Sequence, residues 1–261
     1  MSLQWVTSSQ SYTPPISQLS NNASLVIPGV LSIGNPYLRS YNTYRSELIY
    51  KWNCDWLQAH VGLYYSYADS PINRYYTQQE INGRQYIVGS NENANYSSEL
   101  GGSYLLVISP FKSQILTLTF QGYVSRQTVS SPIIGHYHHT WAPLYFGVQF
   151  SKGNWGGSYV GSIVSKRLNG STLDTGENQS HLQVYWQKKS LRIFATDYWL
   201  FTRSRYSGYS MPTSILQSTY KTWIDDNKSM FVLGFSYDFS TGRNFKINRK
   251  LQNKDSDTGS F

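Results

Sequence analysis

Over residues 231–239 the chain places Phe231, Leu233, Phe235, Tyr237 and Phe239 at every second position, with Val232, Gly234, Ser236 and Asp238 between them. Period-two alternation sends successive side chains to opposite faces of an extended strand. A face of bulky apolar groups opposite small and polar ones needs an apolar medium on one side only. The same alternation recurs in Leu57, Ala59, Val61, Leu63, Tyr65 and Tyr67, in Leu116, Leu118, Phe120, Gly122 and Val124, in Leu144, Phe146, Val148 and Phe150, and in Leu182, Val184 and Trp186. Helical periodicity is nearly absent, so the expected fold class is all-β.

These segments are ~10–12 residues long, against five or six in ordinary sheets and the 9–11 that a tilted membrane-crossing strand needs. Nine are counted, at about 42–52, 56–67, 95–108, 114–125, 142–151, 155–166, 179–187, 190–200 and 229–240. A tenth near Ser214 to Trp223 would restore the even number that bacterial single-chain barrels use. Very short turns at Asn53 to Asp55, Ser109 to Ser113, Lys152 to Asn154 and Gln187 to Ser190 alternate with long polar loops at 68–94, 126–141, 167–178 and 201–228. Short turns at one end and long loops at the other are the asymmetry of a transmembrane β-barrel with antiparallel strands.

Composition agrees. Only 14 % of the 261 residues are charged, whereas 23 Tyr, 11 Phe and 8 Trp are present; abundant aromatics and few charges exclude a disordered chain. A lone Cys54 excludes a disulfide scaffold. No apolar run approaches the ~18 residues of a transmembrane helix. Met1 to Trp5 lacks the basic and apolar regions of a signal peptide, so none is expected in this chain. Net charge is +8, but the cations are scattered, which argues against nucleic acid as a partner. Tyr64, Tyr65, Tyr67, Tyr75 and Tyr76 near one strand end, with Trp52, Trp56 and Trp155 at short turns, fit the aromatic girdles of a membrane boundary.

Pro14 to Leu19, then Gly34-Asn35-Pro36-Tyr37-Leu38, then the strand with Glu47 and Leu48, resemble the C-terminal barrel region of TonB-dependent outer-membrane receptors, of the Bacteroidetes-type outer-membrane β-barrel family. Ser70 to Tyr76 and the ending Phe235 to Arg243 fit the same pattern. The resemblance implies the last nine or so strands of a 22-stranded barrel. Residues 1–41 would be an extracellular loop segment, 42–240 transmembrane strands with long extracellular loops, and 241–261 a basic periplasmic tail. It further implies a multi-pass protein of the cell outer membrane that takes part in TonB-dependent nutrient uptake. The expected partners are outer-membrane lipid and lipopolysaccharide, an N-terminal barrel and plug portion, the barrel assembly machinery, and a surface lipoprotein. Phe235, Tyr237 and Phe239 would carry the assembly signal.

His136, Tyr137, His138, His139 and Trp141 form the densest group of ligand-type side chains, and His136 and His138 share one face of an extended chain. With no carboxylate or Cys nearby, they are expected to contact an imported ligand and not a metal. Tyr75, Tyr76, Arg203 and Arg205 are the other loop candidates for ligand contact. Glu47, Glu99, Arg45 and Lys51 fall opposite the apolar rows and would face a barrel lumen. No nucleophile elbow, zinc-protease helix motif or phosphate loop is present, so no enzyme activity and no cofactor are expected. The competing reading is a Tyr-rich soluble or surface-attached β-sheet module that binds glycans.

Overall fold

A computed structural model describes residues 1–111, 115–210 and 214–239. The chain starts with β1 (Ser2–Tyr12), then a single helical turn at Ile16–Leu19, β2 (Ser24–Ile27) and β3 (Val30–Ser32). It continues through β4 (Tyr41–Asn53), β5 (Leu57–Asp69), β6 (Ile72–Ile81), β7 (Arg84–Asn93) and β8 (Tyr96–Ile108). There follow β9 (Leu116–Ser131), β10 (Gly135–Trp141), β11 (Leu144–Lys152), β12 (Trp155–Ile163), β13 (Lys166–Asn169) and β14 (Thr172–Thr175). The last are β15 (Ser180–Lys188), β16 (Leu191–Tyr198), β17 (Ser204–Ser210), β18 (Thr219–Ile224) and β19 (Met230–Tyr237).

Ten of these strands form one antiparallel wall in the order β1-β4-β5-β8-β9-β11-β12-β15-β16-β19, with β10 added to β9 above it. Neighbours in the wall are joined by short turns or long loops, so hairpin closure alone sets most of the order. The register keeps one face apolar across strands: Trp5 meets Leu48, Leu48 meets Leu63, Leu63 meets Gly102 and Gly102 meets Val124. On the far side, Trp155 meets Trp186, Trp186 meets Ile193 and Ile193 meets Phe235. The opposite face carries Gln4, Arg45, Glu47, Tyr64, Glu99, Ser125, Gln183 and Arg192 by the same parity. No helix among the described residues is long and apolar enough to cross a membrane.

Neither face is smooth. Bulky rings lie over glycines directly across the ladder, Phe146 over Gly161 and Tyr104 over Gly122 on the outward face, Tyr185 over Gly156 and Phe194 over Gly234 on the inward one. A Cβ at Gly161 would stand 2.5 Å from the Phe146 ring, and one at Gly122 the same distance from Tyr104 Oη. The ring covers backbone that the missing side chain would leave bare, which pins register as well as packing.

Three expectations need correction. Residues 1–41 are not only a loop, because Ser2–Tyr12 is a wall strand in register with Tyr41–Lys51. Its alternation stops after Leu3 and Trp5, and the rest, Val6 and Tyr12 apart, is Ser, Thr and Gln, so the periodic signal is weak. The segment near Ser214 to Trp223 does not supply the tenth wall strand: β18 pairs with β17, outside the wall. The long loops are folded. They form two four-stranded sheets, β2-β3-β7-β6 and β13-β14-β17-β18. The expected tail at 241–261 lies outside the described residues.

With β1 counted, both outer strands end at the short-turn end: Ser2 pairs Lys51 and Tyr237 pairs Leu191. Among the described residues β1 and β19 each pair on one edge only.

Candidate functional site

The inward face gathers its charge near the loop end. Arg45 and Glu47, two apart on β4, point the same way and pair at 3.2 Å. Glu47 also accepts from Ser103 Oγ at 3.2 Å, and the Arg45 guanidinium lies 4.0 Å from the Tyr64 ring centre. One strand further, Glu99 accepts from Tyr64 Oη and from Ser125 Oγ, both at 2.7 Å. Its second oxygen faces Arg167 at 3.7 Å.

Arg167 belongs to the β13–β14 hairpin, which folds back onto the inward face. Leu168 and Leu173 of that hairpin pack on Val129, with Ile134, Tyr137 and Tyr209 around them. The buried Gln127 side chain accepts the Leu168 backbone N–H at 2.8 Å. Arg167 is sandwiched between Glu99 and the Trp141 ring, 4.8 Å from the ring centre, and Trp141 stacks on Tyr123 at 5.3 Å. Between hairpin, wall and the start of β6 remains a cavity of about 240 Å3, bordered by Tyr12, Tyr41, Asn73, Glu99, Gln127 and Arg167.

The candidate residues separate. On β10, Tyr137, His139 and Trp141 oppose the buried Val129, Gln127 and Ser125 and so face inward. His136 and His138 face the other way, are exposed, and hold their rings 6.5 Å apart. No group of three or more His, Cys, Asp or Glu able to hold a metal occurs among the described residues. Tyr75 and Tyr76 sit on β6 in the first loop sheet, Tyr76 against Gly89 with Arg74 at 5.5 Å. Arg203 pairs with Asp225 at 2.5 Å and lies 4.9 Å from the Trp223 ring, while the Arg205 backbone N–H donates to Asn178. Tyr137, His139 and Trp141 stand next to Val129, Gln127 and Arg167, which line the cavity. Gln127 and Arg167 carry no motif, and Asn73 falls in the Ser70 to Tyr76 segment only as part of the family resemblance and not as a site residue; the signal in the sequence is that Glu99 falls on a lumen-facing row.

The loop sheets carry a titrating group. Glu92 on β7 is buried and accepts from Ser131. Burial pushes its carboxyl above the usual range, only partly offset by that hydrogen bond. The folded state therefore holds the proton more tightly than the unfolded chain. Stability from this group is complete below the unfolded value and is lost as pH rises through the raised folded one. Glu92→Gln keeps an acceptor for Ser131 and removes the loss. Amide exchange in β6 and β7 should be slower than wild type at neutral pH and equal to it near pH ~4; faster exchange at neutral pH in the variant would contradict the assignment.

Residues 3–237 match the family described as outer membrane protein beta-barrel family. No curated protein matches the chain.

Proposed function

The chain belongs to the outer membrane protein beta-barrel family, and we propose that within it the protein is a TonB-dependent nutrient receptor, this portion supplying barrel wall and ligand-contacting extracellular loops. An all-β outer-membrane protein displaces the soluble glycan-binding module as a reading of the whole chain. Uptake is supported chiefly by the free edges. A sheet in lipid must close, because unpaired backbone groups cannot be left in hydrocarbon, yet β1 and β19 pair on one side only among the described residues.

Further strands therefore complete the ring. A ring of about 22 strands encloses a lumen too wide for its own side chains to fill, so it holds a plug. The inward row of Arg45, Glu47, Glu99, Gln183 and Arg192 is the polar lining such a plug requires. On this reading the short turns are periplasmic and the loop sheets extracellular. Phe235 and Tyr237 on β19, with Phe239 beyond it, serve as the terminal strand signal for the assembly machinery, and outward Arg and Lys side chains meet lipopolysaccharide phosphates.

The mechanism follows from the parts. Loop-end residues capture the ligand, and an energised plug movement opens the lumen. Deleting this gene and deleting the energising inner-membrane complex should cause the same growth loss on one limiting nutrient, and the double deletion no more than either alone. Additive losses, or uptake that survives removal of the complex, would overturn the proposal.

A further inference from the structure

One stretch of the outward face is hollow. Near the short-turn end Val184, Ala195 and Leu233 lie side by side on β15, β16 and β19, and Gly157 of β12 flanks Val184. The small residues sink this row below its neighbours. With Trp155, Trp186 and Ile193 in the next row toward the turns, it forms a groove of about 400 Å3 in which no lining residue is charged.

Cations collect at the turn end of this groove. Lys152 is the ladder partner of Trp155, and Lys188 lies two residues beyond Trp186 on the same face. Lys189 follows in the turn. All three are exposed, and none has an ion-pair partner among the described residues. Asp238, the acid just past β19, follows the inward parity of that strand. The turn between β4 and β5 is different: it carries Asp55, and the nearby Lys51 is held inward by Gln4 at 3.0 Å.

We propose that the wall binds an anionic glycerophospholipid here, one acyl chain in the groove over Ala195 and the phosphate on Lys152, Lys188 and Lys189. The site rests on the short turns facing the periplasm, and not on uptake. Hydrocarbon fills the groove, because an unfilled hollow forfeits dispersion contacts along its whole lining. Trp155 and Trp186 set the depth, since indoles seek the boundary between acyl chains and head groups, and so the lysines stand at head-group level. Lys152 and Lys188 are two strands apart, about 10 Å, and their flexible stems converge on a phosphate held over the tryptophan pair. Basic clusters at a membrane boundary select anionic head groups, each Lys being worth about fivefold in affinity. The leaflet decides the source: lipopolysaccharide phosphates belong to the opposite leaflet, at the loop end.

Native mass spectrometry tests the site on the full-length protein purified in detergent, offered equal amounts of phosphatidylglycerol, phosphatidylethanolamine and lipid A. Phosphatidylglycerol should be retained roughly tenfold more tightly than phosphatidylethanolamine, and each Lys→Gln change at 152, 188 or 189 should cost about fivefold. The triple substitution should remove the preference, Ala195→Trp should fill the groove and lower retention of both phospholipids, and Lys221→Gln at the loop end should change nothing. The lysine variants alter only exposed side chains, so they decide the matter even where Ala195→Trp hinders assembly. Equal retention of the two phospholipids by the wild type, a preference that survives the triple substitution, or lipid A displacing phosphatidylglycerol would overturn the inference. Cys54, exposed beside the β4–β5 turn, checks the orientation separately. A membrane-impermeant maleimide should label it only after the outer membrane is permeabilised. Labelling in intact cells overturns the orientation, whereas a protected Cys54 without anionic preference overturns the lipid site alone.

Discussion

Leu63→Arg is expected to cost about 2–4 kcal/mol of stability in lipid, while Gln121→Arg costs close to nothing. Leu63 lies midway along β5, is 66 % exposed, and sits in the outward row between Leu48 and Gly102. Its surroundings are hydrocarbon, where a guanidinium has no water and no partner. Gln121 lies midway along the spanning part of β9 on the opposite parity, beside Tyr145 of β11. There the guanidinium stays solvated in the lumen. Denaturant unfolding in lipid vesicles, read by the loss of heat-modifiable migration on gels, compares the two. Equal losses would sink the assignment of faces, and a larger loss at Gln121 would reverse it.

The second large effect belongs to Glu99. Tyr64 and Ser125 are 3 % and 2 % exposed, and both donate to this carboxylate. Glu99→Ala strands two buried hydroxyls, each costing roughly 1–3 kcal/mol. It also frees Arg167, and with it the hairpin turn over the cavity. Glu99→Gln should behave differently. It retains an acceptor and gives up an ion pair whose guanidinium is more than half exposed, a contribution of about 0–1 kcal/mol. The ordering is thus a loss of about 3 kcal/mol for Ala against about 1 for Gln, with limited proteolysis near Lys166–Thr175 accelerated mainly in the alanine variant. Matching losses in the two variants would show that charge, and not the number of accepted hydrogen bonds, holds this corner together.

Much of the wall was legible without coordinates. Rows such as Leu57, Ala59, Val61, Leu63 and Tyr65 declare their faces because one side meets lipid and the other water, and the pleat permits no third choice. Strand neighbours followed from short turns. β1 escaped because only Leu3 and Trp5 keep the alternation, and because its assignment depends on pairing with Tyr41–Lys51, remote in sequence. The loop sheets escaped for a related reason. In Arg84–Asn93 and Thr172–Thr175 neither face meets hydrocarbon, so polar residues fall on both and the periodic signal vanishes. The parallel pairing of Val30–Ser32 with Ile87–Gly89 is a contact between segments on either side of two wall strands, which no local pattern encodes.

The site divides the same way. His136 and His138 on one face of an extended segment are a local matter, and they do share a face. That Tyr137, His139 and Trp141 turn inward instead is also parity. What parity cannot supply is the company they keep. Asn73, Glu99, Gln127 and Arg167 come from β6, β8, β9 and β13, and they meet only because the hairpin folds back over the wall.

By itself the sequence determined an all-β chain with strands long enough to cross a bilayer and a lipid row separated from a polar row, because solvent on each face selects side chains residue by residue. The tertiary structure alone decided the tenth wall strand, the folded loops and the cavity beneath the β13–β14 hairpin. Those depend on backbone pairing and side-chain contact between distant segments, where the free energy belongs to the pair and neither partner's own sequence carries the mark.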